Sequence, residues 1–144
     1  MDSRTTILYV DDNPKSSRLL AGVLEQCGFR VIAKTDPVEA LALSRRSSFD
    51  LGLLDYEMPA MSGARLAREI KNLKPNLPVI LLSGRVELPP SELEFVDAHF
   101  GFGTSLDDLL WTMRILTKPK VVVQGQHPFR EPKPLMDSRW SDST

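Results

Sequence analysis

The sequence predicts an α/β fold in which a parallel sheet is covered by helices on both faces. Short aliphatic runs suited to buried strands alternate with stretches whose apolar residues recur at helical spacing. Five strands and five helices follow one another in this way, and the connections are expected to be right-handed. The 144 residues are a common size for one domain with a substantial core.

The first two strands enclose a well-marked helix. Strand one is predicted at Ile7–Val10, and the helix after it begins with Asn13 as its cap and Pro14 at its first position. Gly28 is typical of the residue just beyond a helix end. Strand two is then predicted over residues 29–33.

The same alternation continues through two more strands. Asp36, with Glu39 three residues later, is a capping-box-like start for helix two. Strand three is predicted over residues 50–54, helix three from Ser62, and strand four over residues 78–82. Each helix presents an apolar stripe that is expected to face the sheet.

The region around strand five is less regular. Ser91 is predicted to cap a short fourth helix, which Pro89-Pro90 truncates or re-angles. Residues 98–101 are predicted as a weak fifth strand, and the last helix is expected to start near Ser105.

Residues 118–144 form a tail that differs from the domain predicted over residues 1–117. Four prolines fall in the tail, and no helical or alternating apolar pattern is present beyond Val121–Val123. We expect a flexible or loosely docked segment. The alternative is that the three valines pair with a partner or a sheet edge. A DNA-binding output domain would not fit here, so the sequence predicts a stand-alone module.

Composition restricts the function further. A net charge of −1 argues against the broad basic face that duplex nucleic acid requires. The single cysteine, Cys27, excludes an internal disulfide and favours a reducing compartment. Neither a leader pattern nor an apolar stretch of membrane-spanning length is present, so a cytoplasmic location without membrane insertion is expected.

Polar side chains stand at the ends of three predicted strands. Asp11 and Asp12 follow strand one, Asp55 follows the apolar residues of strand three, and Ser83 follows strand four. Because the carboxyl ends of parallel strands meet at one edge of a sheet, we expect these side chains to lie together. Taken alone, each has a simpler explanation. Asp-Asp-Asn-Pro is a good helix-capping turn, and an Asp at a strand end is a common turn residue.

The order and spacing of these residues, with a Met-Pro-x-Met-x-Gly loop at residues 58–63, resemble the receiver domain of two-component response regulators (CheY-like). The resemblance covers roughly residues 4–117. It implies a flavodoxin-like, doubly wound sheet of five parallel strands in the order 2-1-3-4-5, with five helices. It also implies a phosphoprotein of phosphorelay signal transduction, not an enzyme beyond self-catalysed phosphotransfer and autodephosphorylation.

The resemblance also assigns roles within the site. Asp55 would accept a phosphoryl group from a histidine kinase or phosphotransfer protein. Asp11, Asp12 and Asp55 would bind Mg²⁺, together with the backbone carbonyl of Glu57. Ser83 would hydrogen-bond a phosphoryl oxygen. Because three clustered carboxylates repel one another, we expect at least one raised pKa in the metal-free protein.

Two further residues flank the predicted pocket. Glu57 lies two residues after Asp55 and Arg85 two residues after Ser83, so both should overhang the acceptor. Their opposite charges would then pair across the entrance and hinder the attack of water. The alternative is that both are solvated surface groups, as most exposed pairs are.

The sequence departs from the family after strand five. Phe102 stands where the family has a lysine, and Gly103 stands where it has the following proline. No Lys or Arg lies between Arg85 and Arg114 to replace that lysine. His99 falls at the position of the rotating aromatic switch residue of the family; a buried, hydrogen-bonded histidine is the alternative.

Two functions of different classes therefore remain open. The first is a receiver that is phosphorylated at Asp55, and the intact acidic residues favour it. The second is a pseudo-receiver, an interaction module that keeps the fold and signals without phosphorylation, and Phe102 favours it. The downstream partner is not identified. Trp111 on the last helix leaves two interpretations open, a homodimer face or a position beneath the tail.

Overall fold

A computed structural model describes residues 3–85, 87–101 and 103–118 and contains one parallel sheet of five strands. The second strand in the chain lies at one edge, and the order is 2-1-3-4-5, as the resemblance implies. Every predicted strand is present, with bounds that differ by a residue at most. The strands are β1 (Thr6–Val10), β2 (Arg30–Lys34), β3 (Leu51–Asp55), β4 (Val79–Ser83) and β5 (Ala98–Gly101).

Four α-helices accompany these strands in the described part of the chain. Each has a side chain that accepts a hydrogen bond from a free amide of its first turn, as predicted at Asn13, Asp36, Ser62 and Ser105. None of the described helices is long and apolar enough to cross a membrane. The helices are α1 (Pro14–Gln26), α2 (Pro37–Arg46), α3 (Gly63–Leu73) and α4 (Leu106–Thr117).

The end of α1 shows why a glycine is needed there. Gly28 has a φ of 101°, in the left-handed region, and its N–H donates to the carbonyl of Glu25 at 3.1 Å. The N–H of Phe29 donates to the carbonyl of Leu24, also at 3.1 Å. These two bonds form a Schellman motif, which turns the chain directly into β2.

The predicted fourth helix is truncated, as expected, and is not an α-helix. Between β4 and β5 the described residues contain a single turn of 3-10 helix, Pro90–Glu92, and no side chain caps it. Ser91 was predicted as the cap but lies inside this turn. Pro89 holds an extended conformation, with a ψ of 146°, and two adjacent prolines remove two backbone donors. The turn ends after three residues, and no α-helix follows it before β5 among the described residues.

The sheet buries an apolar core on each face, because successive side chains of a strand point to opposite sides. One core packs against α2 and α3, and the other packs against α1 and α4. Burial of each large aliphatic side chain contributes about 1.5–3 kcal/mol, so the two cores hold the strand ends in fixed register. Fully buried members are Leu8, Leu54, Leu66, Ile70 and Leu81 in the first core and Tyr9, Leu24, Leu53, Ile80 and Met113 in the second.

Candidate functional site

Three carboxylates meet at the carboxyl ends of β1 and β3. Val10 pairs with Leu54 in the parallel register, so the residues that follow them, Asp11 and Asp55, are neighbours. One carboxylate oxygen from each of Asp11, Asp12 and Asp55 lies within 4.8 Å of the others. Hard divalent cations such as Mg²⁺ prefer oxygen ligands, and this cluster, called the acidic cluster below, supplies three of them.

Two hydrogen bonds orient Asp11. The Tyr9 hydroxyl donates to Asp11 Oδ2 at 2.8 Å, and the backbone N–H of Asn13 donates to Oδ1 at 3.0 Å. Burial, followed by the bond to Asp11, raises the pKa of Tyr9 far above its usual range, so the hydroxyl remains a donor. Each Asp11 oxygen keeps a further lone pair for a cation.

Asp55 is a perturbed carboxylate at the end of β3. Its pKa is raised to about 7, first by removal from water and then by the negative charge of Asp11, with smaller contributions from Asp12 and Glu57. A hydrogen bond from the Glu57 backbone opposes the rise. The expected raised pKa is confirmed, although burial and not repulsion is the largest cause. Metal-free Asp55 is therefore partly protonated near neutral pH.

The loop after Asp55 closes tightly onto the sheet. The N–H of Tyr56 donates to the carbonyl of Leu82 at 2.7 Å, and the carbonyl of Tyr56 accepts the N–H of Gly63 at 2.8 Å. A Cβ at Gly63 would collide with the backbone carbonyl oxygen of Asp55 and would lie 2.7 Å from the Leu81 side chain. Only glycine therefore lets α3 begin against the acidic cluster.

Ser83 and His99 lie on the same side of β4 and β5. Ser83 pairs with Gly101, and His99 pairs with Leu81 two positions earlier. Ser83 is fully buried, and its hydroxyl oxygen accepts the N–H of Arg85 at 2.9 Å.

The imidazole of His99 is not fully satisfied. Its Nε2 atom is buried and has no hydrogen-bond partner among the described residues. The alternative of a fully hydrogen-bonded histidine is therefore wrong for this atom. Burial lowers the pKa of His99, which favours the neutral imidazole. A neutral ring without a bond at Nε2 is held by packing more than by polar contacts.

The two flanking residues are both exposed. In the described part of the chain no ion pair joins Glu57 to Arg85, so the pairing across the entrance is not seen. Phe102, the residue at the lysine position, lies outside the described residues, as does Val121–Val123. No described Lys or Arg contributes to the pKa of Asp55.

A groove of about 790 Å³, called the apolar groove below, is lined by the residues of the acidic cluster as well as by apolar side chains. Leu19 on α1 is 74% exposed at its wall, and Leu106 on α4 is 40% exposed. Large exposed apolar side chains next to a polar site are typical of a surface that meets a partner. The groove is also lined by Leu20, Val23, Leu82, Phe100 and Leu109.

The sequence prediction missed two tyrosines of the site. Tyr9 precedes Asp11 by two residues, and residues two apart in a strand share a face, so this contact had a local signal. Tyr56 donates its hydroxyl to Glu92 at 2.7 Å, across a separation of 36 residues. No local pattern announces that contact. Trp111 is 39% exposed, which is compatible with either of its two interpretations.

Comparison with known proteins gives a consistent result. The sequence pattern of the response regulator receiver domain matches residues 7–99. The chain is 27% identical over 137 residues to the transcriptional regulatory protein GlrR of Escherichia coli (strain K12), covering 95% of this chain and 29% of GlrR. It is 42% identical over 74 residues to the sensor histidine kinase RcsC of the same strain, covering 51% of this chain and 8% of RcsC. The chain thus spans less than a third of the length of these relatives.

Solved structures share the architecture. The response regulator TrrA of Thermotoga maritima, crystallised in complex with Mg²⁺ and BeF, has a TM-score of 0.73 and 29% identity, covering 78% of this chain and 98% of that chain. TrrA has also been crystallised in complex with the histidine kinase ThkA. A receiver domain protein from Methanospirillum hungatei JF-1 has a TM-score of 0.74 and 28% identity, covering 78% of this chain and 93% of that chain.

Proposed function

The chain belongs to the response regulator receiver domain family, and from this membership we propose that it accepts a phosphoryl group on Asp55, with Mg²⁺, in two-component signalling. Receiver domains are signalling modules of such systems. The observation that carries the proposal is the convergence of oxygens from Asp11, Asp12 and Asp55 at the sheet edge where Ser83 is buried.

The acidic cluster is the proposed metal site. Asp11, Asp12 and Asp55 would hold Mg²⁺, with the backbone carbonyl of Glu57 as a further ligand. The three converging carboxylate oxygens fit a hard cation, and Mg²⁺ accompanies BeF in the TrrA structure. When bound, Mg²⁺ would neutralise charge on the transferring phosphoryl group. The bonds from Tyr9 and Asn13 would keep Asp11 oriented for this task.

Asp55 would act as the nucleophile in its ionised form. One of its carboxylate oxygens would form the new bond to phosphorus while the bond from phosphorus to the donor breaks. A pKa of about 7 makes ionisation sensitive to the neighbouring charges of Asp11 and Asp12. Neutralising those charges lowers the pKa of Asp55 and therefore favours its ionised, nucleophilic form.

Ser83 and His99 would report the phosphorylated state. Ser83 would donate its hydroxyl hydrogen to a phosphoryl oxygen, while its oxygen accepts the N–H of Arg85. His99 lies on the same side of the sheet, and Nε2 has no bond that would have to break if the ring moved. Glu57 and Arg85 would act separately, as exposed groups that influence the approach of water to the acceptor.

The phosphoryl donor would be a histidine kinase or a phosphotransfer protein in the cytoplasm. The complex of TrrA with ThkA supports a kinase as the class of partner. The apolar groove between α1 and α4 borders the acidic cluster, so a donor seated there would be close to Asp55. The single cysteine agrees with a reducing compartment.

Labelling with radioactive acetyl phosphate tests the proposal. Wild-type protein should be labelled in the presence of Mg²⁺ and not in the presence of a chelator, and Asp55→Asn should not be labelled at all. Label that persists in Asp55→Asn would exclude Asp55 as the sole acceptor. Wild type that neither takes up label nor responds to beryllofluoride would exclude the phosphorylated receiver.

Phe102 supports the second candidate, a pseudo-receiver that signals without phosphorylation. An aromatic ring cannot supply the ammonium that would offset the charge of the phosphorylated acceptor. Under the first proposal, Phe102→Lys should raise the rate of labelling and enlarge the spectral response to beryllofluoride. A wild type that already responds fully, with no change in Phe102→Lys, would show that another group has taken over the lysine role, and Arg85 is the first to test.

A further inference from the structure

The connection between β4 and β5 is attached to the body of the molecule at few points. We call residues 87–97 the connecting segment. Its described regular structure is the single 3-10 turn Pro90–Glu92. Leu88 is buried, but Leu93, Phe95 and Val96 are only partly buried against the core. Apolar packing alone therefore holds this segment less firmly than it holds the helices.

Two side-chain attachments supplement that packing within the described structure. At the end of the segment, Asp97 Oδ2 accepts both the Lys71 ammonium and the N–H of Val79, each at 2.7 Å. In the middle of the segment, Glu92 Oε1 accepts the Tyr56 hydroxyl at 2.7 Å. A length of 2.7 Å is typical of a hydroxyl that donates to a carboxylate, which is among the stronger hydrogen bonds of proteins.

The two attachments start from opposite ends of the sheet. Val79 is the first residue of β4, whereas Ser83, at the other end, borders the acidic cluster. At about 3.3 Å per strand residue, the Asp97 attachment lies roughly 13 Å from that edge. Tyr56, in contrast, is bonded covalently to Asp55. Only the Tyr56 attachment therefore begins at the acidic cluster.

Tyr56 is well placed to carry a displacement. Its backbone is fixed on both sides, by Leu82 of β4 and by Gly63 of α3, so its ring moves when the end of β3 moves. The Tyr56 hydroxyl donates to Glu92 Oε1, so the ring connects the end of β3 to the connecting segment.

We propose that the hydrogen bond from Tyr56 to Glu92 transmits occupation of the acidic cluster to the connecting segment. The surface of residues 87–97 is then the part of the molecule whose conformation reports the state of the site. The identity of the occupant, a metal-bound phosphoryl group, rests on the proposed function. The existence of the link does not, because any change at Asp55 that shifts the end of β3 should reach the same residues.

Amide NMR spectra of the full chain test the link. Mg²⁺ and beryllofluoride are added to wild type, to Tyr56→Phe and to the control Lys71→Met, which removes the ammonium from the Asp97 attachment and leaves the bond from Val79. Tyr56→Phe should keep the shifts of the pocket amides, with an affinity within about threefold of wild type, since a partly exposed bond contributes little to binding. It should lose most of the shifts in the connecting segment, whereas Lys71→Met should retain them.

A second comparison needs no ligand. Asp55→Asn changes the charge of the cluster by itself, and its effect on the connecting segment is measured with and without the Tyr56 hydroxyl. Amides of residues 91–97 should shift in Asp55→Asn but much less in the double variant Asp55→Asn with Tyr56→Phe. If beryllofluoride leaves wild type unchanged, the proposed function fails while this comparison still decides on the link.

Glu92→Leu provides an independent variant on the other partner and should reproduce Tyr56→Phe. Equal shifts of the segment with and without the hydroxyl would overturn the proposal. The proposal would also be overturned if Lys71→Met lost these amide shifts as fully as Tyr56→Phe does. The segment would then respond to any weakened contact and not to this hydrogen bond in particular. Circular dichroism of each variant establishes that the fold is retained.

Discussion

The two halves of the carboxyl edge of the sheet are built differently. At the ends of β1 and β3, buried hydrogen bonds orient Asp11, and Gly63 fits directly against the carbonyl of Asp55. At the ends of β4 and β5, a 3-10 turn stands where the family resemblance led us to expect a helix, and His99 keeps an unbonded Nε2. The described contacts hold the first half more closely than the second.

Under the proposed function, this contrast separates two tasks of the molecule. Placing three carboxylates within 4.8 Å of one another requires fixed partners, because repulsion would otherwise drive them apart. Passing a change onward requires a region with more than one low-energy arrangement.

The largest effect on this contrast is expected from Gly63→Ala. The new methyl group would meet the backbone of Asp55, so we expect a loss of about 3 kcal/mol in the free energy of unfolding, with weaker Mg²⁺ binding. Urea denaturation measures the loss. Gly22→Ala in α1 is the matched control, because its methyl group would meet nothing within 4 Å. A Gly63→Ala variant as stable as that control would show that the closure at β3 is loose.

The second prediction concerns pH. Asp55 has a raised pKa in the folded state, so its protonation stabilises the fold at low pH, and this stabilisation is lost as the pH rises through about 7. After allowance for solvent screening, the free energy of unfolding of the metal-free protein should fall by about 1–2 kcal/mol between acidic and mildly alkaline pH.

Urea denaturation at several pH values provides the measurement, and Asp55→Asn is the control, because the difference between the two profiles isolates this one carboxylate. Saturating Mg²⁺ should remove most of the slope that wild type shows. A difference profile that is flat, or that rises with pH, would contradict a raised pKa at Asp55.

A smaller effect is expected from Tyr9→Phe. The ring keeps its packing, but Asp11 Oδ2 loses its buried donor, which should destabilise metal-free protein by about 1–2 kcal/mol. Mg²⁺ should recover part of this loss by taking the freed lone pair. Tyr56→Phe is the matched control, since its hydrogen bond is less buried. Equal losses in the two variants would mean that the Tyr9 bond does not orient Asp11.

The smallest effect is expected at the entrance of the pocket. Because Glu57 and Arg85 are exposed and do not pair, Glu57→Ala and Arg85→Ala should each change the rate of dephosphorylation by only about threefold. In the double variant, the change in the activation free energy of dephosphorylation should equal the sum of the changes in the two single variants. Decay of radioactive label measures these rates. A clear departure from additivity would show that the two side chains pair after all.

The order of strands and helices along the chain could be predicted from local patterns in the sequence. Asn13 before Pro14 and Gly28 after the apolar stripe indicate the two ends of α1. Helix caps and the left-handed turn depend only on residues that are close together in the sequence. Aliphatic runs indicate the strands, and parallel strands bring their carboxyl ends, with Asp11 and Asp55, to one edge.

The remaining features depend on contacts that no local pattern encodes. Tyr56 and Glu92 meet across 36 residues. The segment before β5 carries apolar residues at spacings that suit either a helix or a turn, and the local pattern does not decide between them. The raised pKa of Asp55 could be expected from clustered charge, but its main cause, burial, is a property of the packed molecule.

The two hydrogen bonds that Asp97 accepts also bear on how the sequence of this chain can vary in evolution. With its end held at Lys71 and Val79, the connection after β4 is a closed loop whose length matters little, since doubling a flexible loop costs only about 0.6 kcal/mol. Insertions and substitutions between residues 89 and 91, beyond the buried Leu88, should therefore be tolerated. At position 63, in contrast, one additional methyl group is too large, so variation among descendants of this chain should collect in the loop.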